Sequence, residues 1–297
     1  MIKWGFLIAF QIPFVLSPQN PGEVIAYVSR QRYNTDIYLL QLSSSGITRL
    51  ISEDAGEYSP AWSPDGCSIA YVSNNTRIVP DILVLNLKDS SVTNVTAQIG
   101  SDANYHNYPS WSPDGGKLAY TSSRREGLGL HILDLANMQD FRLTDTTLVV
   151  SSSDWSPNGK YIAFAAEHDS DLDIYSVSID GTQLNNLTND NGHDMNPSWS
   201  PNGQQIAFSS NRNDNWELYV IDADGSNLRR LTSNDGVDAE PDWSPDGKRI
   251  AFTSNRTGHF EVYVMNTDGS DLQQLTHAPY VISESPHWQP MVCENKK

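Results

Sequence analysis

The stretch Trp199-Ser-Pro-Asn-Gly-Gln-Gln-Ile-Ala-Phe-Ser-Ser-Asn-Arg212 decides the fold, because the chain repeats it. Its tryptophan has counterparts at Trp62, Trp111, Trp155 and Trp243, each followed by Ser-Pro-Asp/Asn-Gly, and at Trp288, followed by Gln-Pro. The intervals are 49, 44, 44, 44 and 45 residues. Self-similarity at that period marks one supersecondary unit per repeat. Apolar residues alternate over short runs and no 3.6-residue period occurs, so each unit reads as a four-stranded propeller blade and not as packed helices.

Outward from Trp199, Pro197 to Ser200 is expected as strand A, Ile206 to Ser209 as B, Leu218 to Ile221 as C and Leu228 to Thr232 as D. Between A and B, Pro201-Asn202-Gly203 has the chemistry of a tight turn. Gly66, Gly115, Gly159, Gly203 and Gly247 share that position and are read as structural, like the six tryptophans. Ile25–Ser29, Ile37–Leu40 and Thr48–Leu50 supply strands B, C and D of a blade lacking strand A, and Pro286–Trp288 supplies it from the other terminus. The expected fold is all-β, a six-bladed ring of antiparallel blades over residues 22–290, with a tail at 291–297. Completion of the first blade by the C-terminal strand removes the free sheet edge.

The motifs Trp-Ser-Pro-Asp-Gly-x-x-Ile-Ala-Phe, Ser-Asn-Arg, Glu-Leu-Tyr-Val and Arg-Leu-Thr resemble those of the TolB-like, WD-repeat-like six-bladed propellers, related to the translocation protein TolB. The resemblance covers nearly all of the chain after residue 22, in the propeller alone. It implies the fold, whereas the functions of such propellers range from peptidase accessory domains to secreted binding proteins.

A formal charge of -17, from 36 acidic and 19 basic residues, repels phosphate backbones and excludes nucleic acid as the expected partner. Lys3 precedes an apolar run from Trp4 to Leu16, of signal-peptide length and short for a bilayer. Residues 1–21 are therefore expected to be a signal peptide or an apolar N-terminal segment, on an exported, periplasmic or secreted, monomeric protein without a stable transmembrane anchor. Cys67 and Cys293 each lie five residues after a strand A tryptophan, in neighbouring blades, and free thiols are expected.

No Gly-x-Ser-x-Gly elbow or phosphate-cradling Gly-rich loop is present, so no catalytic residue is assigned. Arg212 and Glu217, and Arg256 and Glu261, stand five residues apart and are expected to pair across the B–C hairpin. The B–C and D–A connections share one face of the disc and vary in length, so binding is expected there. The longest connection carries Asp102, Tyr105, His106, Asn107 and Tyr108. Five residues before their tryptophans stand Glu57, Asp194 and Asp238, with His106 in the same slot of blade 3, and these acids are expected to ring the channel mouth. The leading reading is a non-catalytic scaffold, without cofactor, for a protein or peptide of basic character. The alternatives are a metal-dependent lyase or hydrolase holding a divalent cation on His106, His193, Asp194 and Asp238, or a propeller with a structural calcium ion.

Overall fold

In strand B of each blade, large and small apolar residues alternate, and a strand sends alternate side chains to opposite faces. In blade 5, Ile206 and Phe208 pack with Trp199 against Ala163, Ala165, Ile174 and Leu187 of blade 4. Ala207 faces the other way, where Trp243, Ile250 and Phe252 of blade 6 press on it together with Leu218 and Val220. The Ile-Ala-Phe motif is thus the radial packing rule of the ring, with bulk toward the preceding blade and a small residue where the following blade's aromatics enter.

The structure, a computed structural model, describes residues 22–31, 34–51, 56–74, 79–97, 99, 105–124, 127–168, 171–278 and 281–293. Among them are six four-stranded antiparallel sheets. Blade 5 has strand A at Asp194–Trp199, B at Gln205–Ser210, C at Glu217–Asp222 and D at Arg229–Arg230. Blade 1 closes as the sequence predicts: the C-terminal strand Ile282–Trp288 pairs antiparallel with Val24–Gln31, setting Trp288 opposite Ile25. Among the described residues no helix is long and apolar enough to cross a membrane.

The Ser-Pro-Asp/Asn-Gly string is a hydrogen-bonded turn. In blade 3 the Ser112 hydroxyl donates to Asp114 (2.6 Å), the Gly115 amide donates to the Ser112 carbonyl (2.8 Å), and Lys117 N donates to Ser112 Oγ (2.9 Å). Gly115 sits at φ +71°, in the left-handed region that favours glycine. The turns also stack around the ring, with each glycine against the proline of the preceding turn, as Gly203 on Pro157.

Blade 1 has no such turn to offer Gly66 of blade 2, and here the structure corrects the expectation of free thiols: Cys67 and Cys293 form a disulfide, with Cα atoms 4.7 Å apart. After Trp288 no strand B follows, so the tail is not held in a turn. It crosses to blade 2 instead. Gln289 Nε2 donates to the Gly66 carbonyl (3.1 Å), and the Met291 carbonyl lies where a Cβ on Gly66 would stand. Equivalence within the repeat had placed the two cysteines in separate turns, but the tail is free of the turn that would have kept them apart.

A link across 226 residues removes much chain entropy from the unfolded state, about 5 kcal/mol by the loop-closure relation. Reduction, or Cys293→Ser, is expected to lower unfolding stability by up to that amount, read as a lower denaturation midpoint. Equal midpoints for the oxidised and reduced wild-type protein would show that the bond adds nothing to the ring closure already made by the Ile282–Trp288 strand.

Candidate functional site

The inner strand of every blade carries a register shift just before its tryptophan, between Tyr58 and Ala61 in blade 2, for example, and between Asn107 and Ser110 in blade 3. At the shift, Ser59, Tyr108, Asn196, Glu240 and Ser285 adopt φ values between 48° and 56°, each followed by a proline. This repeated bulge turns three residues toward the axis in five blades and two, Ser59 and Pro60, in blade 2. Together they line a central cavity of about 120 Å³, reached by all six blades. Blade 4 differs, since Ser152 is not among the positive-φ residues and Ser153 replaces the proline.

The residues just before the tryptophans are Ala61, Ser110, Asp154, Ser198, Asp242 and His287. Several reach the next blade. Asp154 accepts from the Trp199 amide (2.7 Å), Asp242 accepts from the Trp288 amide (2.6 Å), and the Ser110 hydroxyl accepts from the Trp155 amide (3.2 Å). Burial pushes the Asp154 carboxyl up to about 6, opposed by the Trp199 amide and reinforced by Asp242; burial likewise raises Asp242, opposed by His287. Glu240 accepts from Thr253 (2.8 Å) and from the Ser285 amide (2.7 Å). Among the described residues no lysine or arginine lines the cavity, whose ionisable wall is Asp154, Asp242, Glu240 and His287.

The acids expected at the mouth lie elsewhere. Glu57, Asp194 and Asp238 are fully buried. Asp194 takes a two-pronged hydrogen bond from Arg212 (3.0 and 2.8 Å), and Asp238 is held by Arg256 (2.7 Å), Ser254 (2.6 Å) and Asn234 (2.7 Å). For Asp194 burial outweighs these partners and holds its carboxyl above the usual range. Each guanidinium also stacks on two rings, Arg212 on Phe208 and Tyr219, Arg256 on Phe252 and Tyr263.

These contacts also correct the expected hairpin pairs. Glu217 sits opposite Ser210 in the B–C register, which leaves Arg212 in the turn, folded back onto strand A. Glu217 instead accepts from Arg230 (2.9 Å) and Thr232 (2.5 Å) of strand D. Asp36 with Arg49, Asp81 with Asn94 and Asp173 with Asn186 repeat this rung. The threonine of the Leu-Thr motif completes it: Thr96, Thr144, Thr188, Thr232 and Thr276 accept from strand C amides at 2.9–3.1 Å. That role was encoded in the repeated threonine, a signal the charge-based reading passed over.

Of the loop candidates, Asp102 lies outside the described residues. Tyr105 is half-buried and its hydroxyl accepts from Asn107, which in turn accepts from Ser59 (3.0 Å); Tyr108 lines the cavity, and burial pushes its phenol up to about 12. His106 is 2% exposed inside blade 3, whereas His193 is exposed, so the metal alternative's two histidines stand in different environments. Among the described residues no three His, Cys, Asp or Glu side chains form a metal-holding group. Exposed carboxylates lie on both faces: Asp65, Asp89, Asp114, Asp180, Asp224, Asp246 and Asp268 in the A–B and C–D turns, and Asp145, Glu167, Asp171, Asp214 and Asp235 in or beside the B–C and D–A loops. Hydroxyl partners keep those of the A–B and C–D turns below the usual range, as Ser226 does for Asp224.

The match to the TolB beta propeller domain spans residues 11–127 and 129–292. The chain belongs to this family. TolB from Acinetobacter baumannii superposes with a TM-score of 0.81 at 23% identity, covering 92% of this chain and 68% of that one. The putative TolB from Agrobacterium tumefaciens gives 0.72 at 21%, over 89% and 98%. A propeller in a nidogen/laminin complex gives 0.71 at 14%, over 90% and 100%. At these identities the likeness is one of fold. No curated protein matches the chain.

Two tests follow from the TolB-like ring's buried acids. A group raised in the folded state binds its proton more tightly there, so Asp154 contributes stability as pH falls from about 6 toward 3.8, about 3 kcal/mol in full. Asp154→Asn should keep the clip to Trp199 and abolish this gain, seen as a flatter melting temperature against pH; an unchanged profile would reject the assignment. Asp238→Ala should cost about 3 kcal/mol by stranding Arg256, measured by chemical denaturation.

Proposed function

We propose that this TolB-like propeller is a non-catalytic, exported binding scaffold that holds a protein or peptide partner at its channel and at the face of the B–C and D–A loops. The observation that carries the reading is the axial cavity, walled by Asp154, Asp242, Glu240 and His287 and, among the described residues, free of lysine and arginine. Carboxylates in a low-dielectric recess favour a cationic segment, and the partner is therefore assigned basic character. Exposed carboxylates in the turns of the opposite face add a long-range negative field that attracts the same kind of partner. The Tyr105, Asn107 and Tyr108 side chains beside the channel supply aromatic and amide contacts suited to recognition.

Export is supported by the apolar run from Trp4 to Leu16 and by the Cys67–Cys293 disulfide, a bond that persists in oxidising compartments. A periplasmic or secreted location accommodates both. The propeller of the nidogen/laminin complex belongs to a protein–protein assembly, a precedent for this fold acting through its surface.

The test compares the wild-type protein with Asp154→Asn/Glu240→Gln/Asp242→Asn, which removes three negative charges and retains the amide acceptors of the inter-blade clips. Partners are cross-linked from the native envelope, identified and titrated back. The wild-type protein should bind a Lys/Arg-bearing segment whose affinity falls with salt, and the triple variant should lose about tenfold in affinity or more together with that salt dependence. Equal binding by a triple variant of wild-type melting temperature would overturn the channel as the anchoring site.

A further inference from the structure

Blade 3 breaks the repeat at positions that the channel does not use. In blades 5 and 6 the arginine after strand B bolts strand A in place, through Arg212 and Asp194 or Arg256 and Asp238. Strand A of blade 3, Tyr105–Trp111, offers His106 at that position. Arg124, without a carboxylate there, reaches across to Asp140 on strand D (2.5 Å). Tyr120 donates to the same carboxylate, and His131 Nδ1 lies 3.5 Å from it. The rings of His106, Tyr120 and His131 form a continuous column, with centroid spacings of 5.6 and 5.7 Å. Both imidazoles are buried, at 2% and 1% exposure, and His106 Nδ1 and His131 Nε2 have no hydrogen-bond partner.

Such a column holds strand A only while it is neutral. The charged groups bearing on His106 are Asp81 of blade 2 and, within blade 3, Arg124, Asp140 and His131; those bearing on His131 are Asp140, Arg124 and Arg142. The carboxylates are already committed, Asp140 to Arg124 and Tyr120, Asp81 to Asn94 and Thr96. A proton on His106 therefore meets burial and the Arg124 guanidinium with no free counter-charge, and one on His131 meets burial, Arg124 and Arg142 against the single Asp140 carboxylate that Arg124 already shares. The part of strand A that can yield is short. Above the bulge, among the described residues, Tyr105, His106 and Asn107 pair with strand B, opposite Ser123, Ser122 and Thr121, and Tyr108 holds a positive φ of 51° that a bulky residue rarely takes.

We propose that this cluster is an acid-released latch: protonation of the buried imidazoles detaches Tyr105–Tyr108 from blade 3 and so remodels the channel wall that Tyr108 helps to form. The direction of the histidine shifts agrees. Burial, ahead of the charged neighbours, lowers His106 to about 4 and lowers His131, so the opened strand binds protons that the closed strand refuses. The closed state is fully favoured above the free histidine value of 6.5 and loses ground as pH falls toward 4. The latch is a property of the ring and does not depend on the partner proposed above.

Amide hydrogen exchange on the full chain, corrected for intrinsic pH dependence, tests it. Protection of the amides at 105–107 and 121–123 should fall by about tenfold per pH unit below pH ~6 for one coupled histidine, and by more for two. The matching amides of blade 5, at 194–195 and 209–210, should lose no protection, because Arg212 holds that strand and the raised Asp194 carboxyl adds stability as it takes up its proton. His106→Gln and His131→Gln, made separately so that at least one folds, should each shallow the slope. His106→Asp should abolish it by giving Arg124 its carboxylate back. A blade 3 that loses no protection as pH falls, or a slope unchanged by both glutamine variants, would overturn the latch.

Discussion

The ring depends on how each inner strand is fastened to its neighbour. A blade's sheet supplies its own hydrogen bonds across four strands, but the inner strand faces the channel and would carry unsatisfied backbone groups there. In three blades the residue before the tryptophan, on the channel wall, also reaches sideways to the next blade: Ser110, Asp154 and Asp242 accept the amides of Trp155, Trp199 and Trp288. Trp111 and Trp288 return the link through their indole N–H groups, to the Ala61 and Asp242 carbonyls (3.1 Å each). Apolar packing between blades follows from that spacing, since Ile-Ala-Phe can interlock only when adjacent inner strands are held at a constant distance.

The fastening also explains why acidic side chains surround a channel that, among the described residues, no lysine or arginine lines. Asp154 and Asp242 serve first as clips, and their carboxylates are costly in that position, as the upward shift of both shows. The price of the clip is a recess that retains negative charge. A serine performs the same fastening at Ser110 without charge, so the two aspartates supply something the clip alone does not require. A cationic ligand that offsets their charge would be strengthened by the same burial that makes the empty recess unfavourable.

The fold was legible because its determinants are local and repeated. Tryptophan, turn and Ile-Ala-Phe strand recur at one period, and strand A at the C-terminus was required by the count of strands in blade 1. The site was less legible, for two physical reasons. Equal spacing from the tryptophan identified Glu57, His106, Asp194 and Asp238 as equivalent but could not say which way they point, and burial by Arg212 and Arg256 turned presumed ligands into bolts. The true wall, Asp154, Glu240 and Asp242, sits on a bulge, where the two-residue period of a strand is suspended and side-chain direction cannot be counted from the sequence. The disulfide was missed for a related reason, since repeat equivalence was extended to Cys293, which lies past the last repeated strand.

Repetition supplies a reference state inside the molecule, and departures from it locate what the ring does beyond holding itself together. Blade 5 and blade 6 agree at the bolt, the rung and the stacked rings, and their shared residues need no explanation beyond stability. Blade 3 loses the strand A carboxylate and the strand C acid together, with Gly129 in the latter place and the Arg142 guanidinium filling the space a side chain would take. Blade 4 loses the proline and the positive φ at the channel. The strand A slot departs in blades 1 and 4 as well, with Ser283 and Val150 there, while the His106 and Ser153 changes lie on strands that carry channel-lining residues. The channel wall is therefore asymmetric, with Ser153 in place of the proline in blade 4 and serine, aspartate, alanine or histidine before the tryptophans, and asymmetry is what a closed ring requires before it can bind a partner in one orientation.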